Sequence, residues 1–68
     1  MVIINAPLKA DVFKSLAEAE GLTFVKKAGM KMYFENPAGN DSEKAAELKK
    51  MFKNHSELAA VFFQVAAE

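Results

Sequence analysis

Thr23 to Asn36 reads TFVKKAGMKMYFEN, two alternating runs divided by a lysine-rich stretch around one glycine. Apolar and polar residues that alternate on either side of a glycine-containing break predict a β-hairpin. The position of the turn decides which side chains meet the core, because a one-residue slip moves a strand's side chains to the opposite face. A two-residue Ala28–Gly29 turn groups Thr23, Val25, Met32 and Phe34 on one face, with Phe24, Lys26, Lys31 and Tyr33 on the other. A three-residue Lys27–Ala28–Gly29 loop, with Gly29 left-handed in a bulge, instead pairs Phe24 with Met32 and Leu22 with Phe34. This second register buries Leu22, Phe24, Met30, Met32 and Phe34, and each large apolar side chain buried gains about 1.5–3 kcal/mol. It is the expected register. Thr23, Val25, Lys31, Tyr33 and Glu35 then share the opposite face.

Before the hairpin, Val2 to Asn5 is short and β-branched, which suits a strand. Pro7 fits a helix start, with Asn5 or Ala6 as the cap. From Leu8 onward, Leu8, Val12, Leu16 and Ala19 form an apolar stripe widened by Phe13, and Gly21 stops the helix in the left-handed conformation. After the loop NPAG, Asn40 and Glu43 resemble a capping box. A second helix is expected from Asp41 to Asn54, with Ala45, Leu48, Met51 and Phe52 inward. In residues 58–67, Leu58, Val61, Phe62 and Val65 have helical spacing, whereas AVFFQV is rich in strand formers. A strand is the favoured reading there, with Val61, Phe63 and Val65 inward and Phe62 and Gln64 outward.

The expected order is β-α-β-β-α-β in one compact domain, residues 1–68. It is an α+β, ferredoxin-like arrangement, with two helices on one face of a four-stranded antiparallel sheet. The uncovered face is then unusually apolar, and exposed apolar patches mark interaction surfaces. Ile3, Val25, Lys31, Tyr33, Phe62 and Gln64 are the candidate interaction residues. They suit a homodimer or another protein partner. The alternative is single-stranded nucleic acid, stacked on Tyr33 and Phe62 with nearby lysines at its phosphates.

Composition narrows the field. The chain has 68 residues, 51% of them hydrophobic, with nine basic and nine acidic side chains. A chain this short buries only about 60% of its unfolded surface, so an enclosed catalytic cavity is hard to build. Zero net charge argues against bulk attraction to nucleic acid or an anionic membrane. The lack of cysteine favours an intracellular, cytoplasmic protein. No signal peptide and no membrane-spanning run is expected.

Catalytic patterns fail. His55 is the only histidine, and its place after the second helix suits capping. Glu43 and Glu47 share an exposed face among lysines, and no calcium loop or phosphate loop has the required spacing. The four methionines read as core filler. No catalytic residue, cofactor or metal is expected, and the function read from the sequence is a non-enzymatic interaction module.

Overall fold

The computed structural model describes residues 1–68. Six elements follow one another: β1 (Val2–Asn5), α1 (Ala10–Ala19), β2 (Thr23–Ala28), β3 (Lys31–Glu35), α2 (Asp41–Asn54) and β4 (Gln64–Ala67). The fold is α+β, with all four strands in one antiparallel sheet of order β2-β3-β1-β4. Alternation in β1 and β3 turns Val2, Ile4, Met32 and Phe34 inward, where Phe13, Ala17, Ala45, Leu48 and Phe52 of the helices join them in one core. No helix is long and apolar enough to cross a membrane.

The hairpin adopts neither expected register. Its turn is Gly29–Met30, with Ala28 opposite Lys31. Gly29 has φ 61°, and Met30 is not among the positive-φ residues, which is the II′ pattern that follows the twist of a two-stranded ribbon. Met30 therefore lies in the turn and is 56% exposed instead of buried. Its carbonyl accepts a hydrogen bond from the Ala6 N–H at 2.9 Å, fixing the hairpin tip beside the end of β1. An unbroken ladder from this turn would put Val25 opposite Phe34 and throw Phe24 outward. A bulge between Phe24 and Lys26 absorbs one residue, so that Phe24 faces Phe34. Their rings meet edge-on at 5.6 Å between centroids. Leu22 is buried, as expected, and the tight turn is kept as well.

The first helix begins later than Pro7 suggests. Lys9 occupies its N-cap in the left-handed region, φ 55° and ψ 37°, and Leu8 is left 65% exposed. The buried stripe is centred on Phe13 and Ala17, with Val12 and Leu16 at its margins and Ala19 exposed. The helix gives way to Gly21 at φ 92°, the left-handed residue expected there.

Helix α2 runs over the expected span, but its start is not a capping box. Asn40 makes no side-chain cap bond. Its Oδ1 accepts from Asn36 Nδ2 at 2.8 Å instead, which ties the NPAG loop closed. The tail divides in two. Residues 56–60 form turns that bury Leu58, and only Gln64–Ala67 pair as a strand. Val65 is inward, while Val61 and Phe63 pack on the core from the segment before the strand.

Candidate interaction surfaces

The face of the sheet away from the helices is built by the outward residues of each strand. One row across it places Ala66, Ile3, Tyr33 and Lys26 side by side, and the next holds Gln64, Asn5, Lys31 and Ala28. Four of the six expected interaction residues, Ile3, Lys31, Tyr33 and Gln64, therefore stand together. Ile3 and Tyr33 are half-buried by their neighbours, and Lys31 and Gln64 are exposed. Lys26 Nζ lies 4.9 Å from the centre of the Tyr33 ring, a cation–π contact that partly covers the aromatic face. Lys31 and Glu35 flank Tyr33 at two residues on either side, so β3 presents a basic and an acidic side chain about one aromatic.

The other two expected residues stand apart. Val25 is the unpaired residue of the β2 bulge and is 44% exposed. Phe62 lies before β4 begins and takes no place in the sheet register, because the chain there is still leaving the turns that bury Leu58. It is 69% exposed. It lines a groove of about 550 Å³ between α2 and β4, together with Val61, Val65, Ala66, Lys49 and Lys53. The expected placement of Phe62 on the open face beside Tyr33 is thus corrected.

Lys49 and Lys53 are the surface residues that the sequence reading passed over. They lie one helical turn apart on α2, both are exposed, and neither forms a salt bridge. Their signal was present in LKKMFKN: no acidic residue lies three or four positions away from Lys49 in either direction. Lys44, by contrast, pairs with Glu47 at 3.4 Å.

The Met1 ammonium donates to the Asp41 carboxylate. That hydrogen bond is the main cause holding the Asp41 carboxyl below its usual value; the charge of the ammonium and a bond from Asn36 add to it, against some desolvation. His55 is the C-cap of α2, and its Nδ1 accepts from the Glu57 N–H at 3.2 Å. This is a local turn contact, and no hydroxyl or carboxylate partner addresses the ring. No group of three or more histidine, cysteine or acidic residues converges on a metal-sized space. Comparison with protein-family models, curated proteins and solved structures finds no match to this chain.

Proposed function

We propose that this chain is a small non-enzymatic interaction module, ferredoxin-like in architecture and cytoplasmic in setting, that pairs with a second copy through its open sheet face. The observation that carries this reading is the arrangement of Lys31, Tyr33 and Glu35 on one face of β3. A two-fold axis running across the strands beneath Tyr33 would set Lys31 of each copy over Glu35 of the other. Isologous interfaces require that kind of self-complementarity. Ile3 and Tyr33 supply an apolar centre, and Asn5, Gln64 and the charged pair supply a polar rim, the usual anatomy of an interface. The separation of Phe62 from Tyr33 favours this over base stacking, which wants successive aromatics along one platform.

Sedimentation velocity over a dilution series tests it. Tyr33→Ser is expected to weaken the dimer by about tenfold or more, the effect of losing roughly 1.4 kcal/mol. Lys31→Glu alone weakens it through like-charge contacts, and adding Glu35→Lys restores it. A concentration-independent monomer at the highest soluble concentration overturns the proposal. Salt-sensitive shifts of Lys31 and Tyr33 amides on adding a single-stranded oligonucleotide to that monomer would favour the nucleic-acid reading.

A further inference from the structure

The two edges of the sheet are unlike. Strand β2 is broken by a bulge and carries Lys26 and Lys27, devices that discourage pairing with another strand. Strand β4, sequence QVAA, has no charge, no proline and no bulge, and pairs only with β1. Its hydrogen-bonding direction can be read from its end. Met1 and Glu68 exchange both backbone bonds, Glu68 N–H to the Met1 carbonyl at 2.8 Å and the Met1 ammonium to the Glu68 carbonyl at 2.7 Å. In an antiparallel ladder such pairs alternate with pairs that exchange none. Ala66 and Gln64 therefore bond to β1, while the N–H and C=O of Val65 and Ala67 point out of the sheet. Neither residue takes part in a loop or side-chain hydrogen bond elsewhere.

Val65 also lines the groove between α2 and β4, which has an apolar wall of Val61, Phe62 and Val65 and a rim of Lys49 and Lys53. No carboxylate lines it. We infer that this edge accepts an extended, acidic segment of another protein as a fifth strand, with apolar side chains against Phe62 and carboxylates at Lys49 and Lys53. Strand addition of this kind takes affinity from main-chain bonds and specificity from alternate side chains. Charge selects the occupant. A second copy's β4 would bring its own Lys49 and Lys53 toward these two, so self-pairing at this edge sets like charges together. The site is separate from the Tyr33 face and stands or falls independently of it.

The test is an amide NMR titration of the intact chain with a blocked heptapeptide of alternating valine and threonine ended by glutamates. A peptide of the same core ended by lysines serves as the control. The glutamate peptide should shift the Val65 and Ala67 amides and slow their hydrogen exchange, binding about tenfold more tightly than the control. Lys49→Glu with Lys53→Glu should reverse that preference. Ala67→Pro removes an outward N–H without touching the bonds to β1, and proline is tolerated at such edge positions. It should keep the spectrum of the folded chain and lose the peptide. The inference is overturned by equal binding of the two peptides, or by shifts confined to Ile3, Lys31 and Tyr33. It is also overturned by no shift at about 1 mM peptide, or by protection of Val65 and Ala67 that rises with protein concentration alone.

Discussion

Asp41 joins the beginning of the chain to the first turn of α2. Its carboxylate receives the Met1 ammonium and also sits where the helix dipole favours negative charge. A carboxyl held below its unfolded value stabilises the fold fully above that unfolded value, and the contribution is lost as pH falls through the lowered folded value. With an ordinary aspartate value of 3.8, the contribution is complete at neutral pH and disappears in acid. Asp41→Asn should therefore lower the urea midpoint at pH 7. The gap between variant and parent should narrow progressively once the pH drops below 3.8. Urea midpoints measured across a pH series check this, and a gap that stays constant into strong acid would show that the pair contributes through something other than charge.

Among the elements, the hairpin depends on Gly29. A Cβ at this position meets nothing within 4 Å, so the cost of replacing it is purely that of its φ of 61°. The positive φ at the first central position of a II′ turn is natural to glycine and costs other residues roughly 1–3 kcal/mol, with asparagine bearing it better than β-branched residues. Gly29→Val should destabilise the fold by about that amount and Gly29→Asn by clearly less. Equal losses in urea melts would contradict a positive φ at this turn position. The same hairpin shows where sequence reading stops. That Leu22, Phe24, Met30, Met32 and Phe34 turn inward was legible from apolar alternation, and it is met by buried Leu22, Met32 and Phe34 and by partly buried Phe24, but not by Met30 in the turn. The means of meeting it was not, because either a bulge at Val25 or an enlarged loop can turn Phe24 inward. Helix α2 was legible to its ends because its apolar face is bounded by a polar loop before it and His55 after it. The start of α1 was not, since Pro7 marks an allowed helix start while Lys9 takes up the left-handed turn that sets the real one.

At the scale of the whole molecule, the segment that defeats local pattern is the one that connects α2 to β4. Its residues satisfy distant partners: Leu58 is buried under the turns, and Phe63 reaches the rings of Phe13 and Phe52 at centroid distances of 5.3 and 5.5 Å. Phe13 and Phe52 themselves meet edge-on at 4.8 Å, so three aromatics from α1, α2 and this segment close one end of the core. The groove could not be read from the sequence for the same reason, because Phe62 meets Lys49 and Lys53 only once α2 and β4 lie side by side. The neighbouring phenylalanines Phe62 and Phe63 accordingly have opposite roles. Phe62, 69% exposed, should be replaceable by alanine within about 0.5 kcal/mol, as for surface positions generally. Phe63→Ala opens the aromatic trio and should cost about 2–3 kcal/mol, less than a fully buried phenylalanine because the ring is half-buried. In a chain of this size, whose total stability is expected at roughly 3–10 kcal/mol, that loss moves the urea midpoint far down while leaving one cooperative transition. The two variants measured side by side decide the point. A larger loss for Phe62→Ala than for Phe63→Ala would mean that the segment before β4 packs with Phe62 inward, and the groove would then lack its apolar wall.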